Sequence, residues 1–488
     1  MVTFLIGMVI LILGGIVYGT YIDKLFGPDD RKTPAITKND GVDFVPMSKW
    51  KNSLIQLLNI AGTGPILGPI QGILFGPIAF ITIPLGCVLG GAVHDYMSGM
   101  MCLRENGDQM PSLVKKYMGG KIFQFYNVFL SLLMLLVGAV FIYTPGDLAV
   151  TQILGQKATI DNPTVWIVYG AIFVYYLCAT LFPIDKIIGK IYPVFGAILL
   201  LSAVGVGVGI FTKGYELTNL SASNWMGIHP QGIPFIPIFF VTVACGIVSG
   251  FHSTQSTLIA RSVTSEKEGK TTFFNMMLLE GFIAMIWAAA AMGIYNKGIA
   301  PELVGSPAVI GLVSRDLLGN IGGFIAIIGV IVLPITSGDT ALRALRLMLA
   351  DFLNIDQKTP AKRFTLSAII FAFVAGILVF AKTSSEGFNI LWRYFAWSNQ
   401  TIAVFAFSMI TIYLIKNSKN YFVSLLPGMF YMFIISSYIL NAQIGLRLPM
   451  NVSYIGSLFL TGIYAHMTIA QGKKLASSSD KLPDKKAI

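Results

Sequence analysis

Asn59-Ile-Ala-Gly-Thr-Gly-Pro-Ile-Leu-Gly-Pro-Ile-Gln-Gly72 lies inside an apolar run, 53–75, long enough to cross a lipid bilayer. Two prolines and four glycines there conflict with a regular helix. Each proline removes a backbone donor, and its ring collides with the preceding turn. The stretch therefore predicts an unwound helix. At mid-membrane depth such backbone is tolerable only where protein buries it or water reaches it. A second interrupted run occupies 233–250. Around its end, Cys245-Gly-Ile-Val-Ser-Gly-Phe-His-Ser-Thr-Gln-Ser256 combines Gly246 and Gly250 with a dense set of polar side chains.

Eleven further apolar runs surround these two, at 2–22, 77–102, 123–143, 164–182, 187–211, 272–295, 321–336, 364–381, 395–415, 421–440 and 452–470. The expected fold class is thus an all-α polytopic membrane protein with about 13 transmembrane helices. Composition agrees: of 488 residues 55% are hydrophobic and only 12% charged, against about 25% charged in soluble domains. A soluble enzyme, a secreted domain and a disordered chain are excluded. With the N-terminus outside and the C-terminus inside, 27 of the 34 Lys and Arg residues fall on inside segments. This asymmetry accounts for the net charge of +11 without a nucleic-acid partner. Cys87, Cys102, Cys178 and Cys245 show no CxxC spacing and read as buried small hydrophobes, with no disulfide or metal framework. The first run is too long for a cleaved signal and lacks a basic leader. The tail 471–488 is Lys- and Ser-rich and expected to be flexible.

The two interrupted runs are the second and seventh, five spans apart. Because five is odd, a repeated five-span unit must be inverted in the bilayer. The expected organisation is an extra helix at 1–22, inverted repeats at 53–211 and 233–415, and two extra helices at 421–470. Paired broken helices in inverted halves mark a secondary-transporter site. Half-helix N-termini suit a carboxylate, and unwound carbonyls suit a cation or amine. A small anion or zwitterion fits such a site better than a sugar. The candidate substrate-binding residues are Ala61, Gly62, Gly64, Pro65, Gly68, Ser249, Gly250, His252 and Gln255, with Asn399 and Gln400 from the eleventh span. Adjacent amides point to different faces, so one of the last two is expected to line the cavity.

Other polar groups lie at membrane depth. His94-Asp95, near the end of the third span, is a candidate gate or proton relay. Glu280 is an intramembrane acid, functional by default or bonded to a neighbouring helix. Arg393 either draws in a substrate carboxylate or snorkels to the interface. Asp339 is a candidate proton carrier, with a helix cap or an ion pair to Arg343 as the structural alternative. His229 is expected to be solvated and His466 structural. Trp50, Trp166, Trp225 and Trp392 read as interfacial belt residues.

The segments DGVDFVP (40–46), NIAGTGPILGP (59–69), GAVHDYMSG (91–99), PIDKIIGKIYP (183–193), SGFHSTQSTLIAR (249–261), TSGDTALRALR (336–346) and WRYFAWSNQTIA (392–403) run in order across about three-quarters of the chain. Through them the chain resembles the carbon starvation protein A family of bacterial peptide transporters, in its shorter form. The resemblance implies a role in starvation, residence in the inner membrane and import of small peptides. Pyruvate or an amino acid is the alternative cargo. It also implies an amino acid–polyamine–cation superfamily core like that of LeuT, symport with a proton or sodium ion, and no cofactor. In that arrangement the ninth span closes on Thr336-Ser-Gly-Asp-Thr340. Thr336, Ser337 and Thr340 would then share a sodium ion with carbonyls near Asn59. No HExxH, GxSxG or P-loop points to an enzyme or ATP-driven pump. An ion channel is the rival reading, since broken helices also build filters.

Overall fold

The computed structural model describes residues 1–41, 44–181, 185–353, 355 and 360–479. Every regular element among them is helical. The main helices are α1 (Val2–Phe26), α2 (Lys49–Ile60), α3 (Gly64–Phe75), α4 (Ala79–Arg104), α5 (Gly120–Ile153), α6 (Pro163–Leu181) and α7 (Asp185–Thr212). They continue with α8 (Gly250–Ala260), α9 (Glu266–Asn296), α10 (Val309–Phe352), α11 (Pro360–Thr383), α12 (Gly387–Lys416), α13 (Phe422–Asn441) and α14 (Met450–Ser479). Among the described residues nine of these, α1, α4, α5 and α9 to α14, are long and apolar enough to cross a membrane. The pair α2–α3, bent by 50°, makes a tenth if counted as one crossing. α6 and α7 carry apolar stretches at Pro163–Ala179 and Gly196–Thr212 among the described residues. This is a multi-pass membrane protein. Residues 42–43 and 183–184, parts of two motifs quoted above, lie outside the described residues, as does 480–488.

Both expected interruptions are present, and both are narrower than their sequences suggest. α2 ends at Ile60, Ala61 leaves the helix at φ −78°, ψ 61°, and α3 begins at Gly64. Pro65 falls in the first turn of α3, where its missing N–H costs nothing. Pro69 stays inside α3, so irregular backbone is confined to 61–63. In the second interruption a 3-10 turn spans Ala244–Gly246 and Ser249 is extended (φ −135°, ψ 124°). α8 then starts at Gly250, and the polar residues 252–256 are helical, beyond the expected end of the span.

Two other expectations need correction. α10 does not close at Thr336–Thr340 but runs on to Phe352, with a kink at Gly319 (φ 70°). The hydroxyls there bond back into their own helix, Thr336 Oγ1 to the Leu333 carbonyl (2.8 Å) and Thr340 Oγ1 to that of Thr336 (3.3 Å), so the polar run does not stop it. α14 likewise keeps 471–479 helical.

Glycine lets the two breaks cross. A Cβ on Gly64 would stand 2.3 Å from Cys245 Cβ, and one on Gly68 2.8 Å from the Thr242 carbonyl oxygen. α8 meets α12 as tightly: a Cβ on Gly250 would lie 2.4 Å from the Asn399 carbonyl oxygen and 2.6 Å from the Ala403 nitrogen. Backbone cannot step aside as a side chain can, so close approach demands small residues. Gly250→Ala is expected to destabilise the protein by about 1–3 kcal/mol or more, read as a lower thermal midpoint in detergent. Gly376→Ala, in open space on α11, should leave that midpoint in place.

Candidate functional site

The two interruptions converge on a cavity of about 20 Å³. Asn59, Gly62, Gly64 and Pro65 line it from one side, and Cys245, Ser249, Phe251 and His252 from the other, with Phe141, Phe395 and Asn399 completing the wall. That volume admits a water molecule and not a peptide. Ala61 is buried beside it, while Gly68 and Gly250 serve the helix crossings.

Asn399 organises the second break. Its Oδ1 accepts from the Phe251 N–H (2.9 Å) and from Ser249 Oγ (3.0 Å), and its Nδ2 donates to Cys245 Sγ (3.2 Å). The Phe251 N–H belongs to the first turn of α8, where donors have no partner within the helix. α12 therefore caps α8 from outside. Gln400 faces elsewhere: its Nε2 donates to the Phe240 carbonyl (2.7 Å) and its buried Oε1 has no partner among the described residues. Gln255 is buried, with its Nε2 3.3 Å from Thr254 Oγ1.

Behind the cavity stand four titratable groups that the sequence scatters over three spans. His94 Nδ1 is 2.8 Å from Asp95 Oδ1. On the other side, His252 Nδ1 is 3.2 Å from Asp95 Oδ2 and 3.6 Å from Glu280 Oε2. All four side chains are buried, at 0–2% exposure. Both Glu280 oxygens lack a hydrogen-bond partner among the described residues. His252 is thus the one imidazole that both lines the cavity and touches the acids.

The Asp339 region lies apart from this cluster. Asp339 accepts from the Tyr175 hydroxyl (2.7 Å) and from Thr340 Oγ1 (3.1 Å), while Arg343 donates to the Ala179 carbonyl (2.7 Å). The hydrogen bonds of Thr336 and Thr340 run within α10, and the buried Ser337 Oγ has none among the described residues. Asn59 lines the cavity instead.

Toward one end of the molecule a vestibule of about 400 Å³ opens, lined in part by Gln71, His229, Glu302, Glu386, Trp392 and Arg393. Trp392 was expected in the interfacial belt, but it is 1% exposed, because Phe388 and Phe395 of its own helix pack around it. Phe395 in turn meets Phe141, so these rings separate vestibule from cavity. Trp50 and Trp225 are exposed. His229, expected in solvent, lies beneath the Phe75 ring (centroids 4.8 Å) and accepts from the Gln231 N–H. Burial, then the nearby Arg393, pushes its pKa down to about 4. His466 is exposed. The 392/395/399 spacing on one helix face is the signal that would have found this wall.

The opposite end is sealed by polar contacts. Arg104 holds Glu266 through two bonds (3.0 and 2.9 Å), Gln56 donates to Ser256 (3.0 Å), and Thr33 Oγ1 donates to the Val263 carbonyl (2.6 Å). Sequence reading missed Arg104 and Glu266, which look like ordinary loop charges. Among the described residues no group of three or more His, Cys, Asp or Glu is arranged to hold a metal ion.

The family model described as carbon starvation protein CstA matches residues 1–226, 142–316 and 311–438, and the chain belongs to that family. It is 40% identical over 341 residues to an uncharacterized membrane protein of Haemophilus influenzae, covering 61% of this chain and 92% of the relative. It is 24% identical to the peptide transporter CstA of Escherichia coli over 84% of this chain and 76% of the relative. Identity to the pyruvate/proton symporter BtsT of the same organism is 25%, over 59% of this chain and 48% of that one. Among solved structures, the manganese transporter of Eremococcus coleocola has the same fold at 11% identity, with a TM-score of 0.59 over 90% of this chain and 99% of that one.

Asn399→Ala removes the external cap of α8 and is expected to cost about 1–2 kcal/mol of stability, measured as a lower thermal midpoint in detergent. An unchanged midpoint would leave α8 without need of Asn399.

Proposed function

We propose that this member of the carbon starvation protein family is a secondary active transporter. It imports small peptides, di- and tripeptides, across a bacterial inner membrane by alternating access, using a proton gradient. The observation that carries the reading is His252, which lines the cavity between the two breaks and lies within 3.6 Å of both Asp95 and Glu280. Cargo and coupling groups thereby share one side chain.

The charge balance of the cluster supports the proton. Two carboxylates with two neutral imidazoles would carry two negative charges on side chains only 0–2% exposed. Unpaired buried charge costs several kcal/mol per ion. Binding two protons neutralises the set, and losing one restores the penalty. A cluster with that property favours changing shape when its proton count changes. One charge crossing 100 mV is worth about 2.3 kcal/mol, enough for roughly fiftyfold accumulation.

The bent pair α2–α3, α6, α7 and the interrupted segment before α8 would complete thirteen crossings, with the N-terminus outside and the C-terminus inside. The vestibule then faces out and the Arg104–Glu266 end faces in. The fold shared with a solved transporter supports a LeuT-like pair of inverted repeats, 53–211 and 233–415. One observation favours a second reading, coupling to sodium: the Ser337 hydroxyl beside Thr336, Asp339 and Thr340 has no bond among the described residues. Pyruvate or an amino acid is the alternative cargo, pyruvate on the strength of the similarity to a pyruvate/proton symporter. No cofactor is needed.

Uptake by proteoliposomes tests the reading, comparing dialanine with pyruvate under separately imposed proton and sodium gradients. Glu280→Gln should abolish proton-driven accumulation of dialanine yet leave counterflow exchange. Full accumulation by this variant, with loss in Asp339→Asn instead, would move coupling to α10. His252→Ala should raise the apparent KM about tenfold, the loss of one buried polar contact. An unchanged KM would put the histidine outside the pocket.

A further inference from the structure

The vestibule is more than a passage. Its volume of about 400 Å³ is in the range of small-ligand pockets, whereas the cavity below it is about 20 Å³. Its charges are few. Asp147 is held by Lys382 (2.8 Å) and by the Tyr169 hydroxyl (2.5 Å), so it has no charge to spare. Arg393 has no hydrogen bond or ion pair among the described residues. Two exposed carboxylates share the lining. Glu302 is steadied by Gln231 Nε2 (3.1 Å) and Glu386 by Asn389 Nδ2 (3.0 Å). The indole N–H of Trp392, which also lines the vestibule, is buried and without a partner among the described residues. His229 stays neutral above about pH 4 and adds no second cation.

We propose that this vestibule is a distinct outer binding station for zwitterionic peptides, with Arg393 taking the C-terminal carboxylate and Glu302 or Glu386 the N-terminal ammonium. The inference rests on the import reading and adds a selection step to it. A simple anion such as pyruvate meets Arg393 but also two carboxylates of like sign. A peptide with both termini free satisfies both charges, and one with a blocked amine does not. Discrimination thus comes from the repulsive groups as much as from the attractive one. The Trp392 N–H supplies a further donor for a peptide carbonyl or carboxylate.

Ser385→Cys tests this, since Ser385 is exposed on the vestibule wall and outside the charged set. Cys87, Cys102 and Cys245 are buried, and a membrane-impermeant maleimide applied from outside reads the new thiol, with the unsubstituted chain as the background. Dialanine at ten times its dissociation constant should slow labelling about tenfold, while N-acetyl-dialanine and pyruvate leave it unchanged. Adding Arg393→Gln should weaken dialanine binding about tenfold or more, the loss of a charge-assisted bond, so that the same dialanine concentration slows labelling about twofold or less. The protection should survive His252→Ala, which lies in the lower cavity. Equal protection by pyruvate or by the acetylated peptide overturns the two-charge station. Uptake is followed in the same vesicles. Absent protection with dialanine uptake intact overturns the station alone, whereas protection without uptake supports the station and overturns import.

Discussion

The approach of one broken helix onto another at Gly64 and Cys245 governs the rest of the molecule. A Cβ on Gly64 would stand 2.3 Å from Cys245 Cβ, so the first break has no room for a side chain at this point. The contact brings two irregular stretches, 61–63 and 243–249, to the same depth. Irregular backbone in a membrane protein must find its hydrogen bonds inside the protein. Here the N–H groups of Gly246, Ile247 and Val248 bond to the Val243 and Ala244 carbonyls of the same stretch, while the Asn399 amide of α12 holds the Cys245 and Ser249 side chains and caps the first turn of α8. The third helix is therefore part of the constraint. Gly250 lets α12 come close enough for that amide to reach. Small residues, broken helices and the external cap form one mechanical unit, and the cavity is what remains between its parts.

That unit also explains how buried charge is tolerated. α4, α8 and α9 are drawn together around the crossing, and each contributes to the His94–Asp95–His252–Glu280 set. Asp95 is flanked by an imidazole on each oxygen, a pairing that lowers the cost of burying it. Among the described residues Glu280 has only the longer contact to His252 and no hydrogen bond. A buried carboxylate so poorly served is an inefficient way to stabilise a fold. Under the import reading its presence answers a need for a group that changes state.

How much of this could be read from the chain varies with the kind of signal. Apolar runs and the Gly/Pro interruptions were legible because they oppose local helix physics directly. The extent of each break was not, since a proline in a first turn costs nothing and Pro69 survives inside α3. Thr336–Thr340 misled for a similar reason: hydroxyls that seem to end a helix bond back into it. His94, Asp95, His252 and Glu280 each drew notice alone, as polar groups at membrane depth. Their assembly depends on how three helices rotate, and no local pattern encodes that. Trp392 near a span end looked interfacial, and only its packing against Phe388 and Phe395 reveals a barrier.

The two ends of the molecule differ in what closes them. Between vestibule and cavity stand aromatic rings, Trp392, Phe395 and Phe141, which associate through area and offset stacking and can turn about two χ angles. At the other end the closure is made of directed bonds: the two-pronged Arg104–Glu266 pair, Gln56 to Ser256, and Thr33 to the Val263 carbonyl. Glu266 is 1% exposed and is also met by Arg31 Nε (3.5 Å) and the Asp29 N–H (3.1 Å), so stripping it of this set of partners would leave a charge in a dry site. Aromatic closure can yield to a side-chain rotation, but polar closure must be dismantled together and repaid by new contacts or by water. Under the import reading the first barrier admits cargo by local motion, and the second opens only when a larger change, such as a shift in the proton count of the buried cluster, moves the helices that carry it.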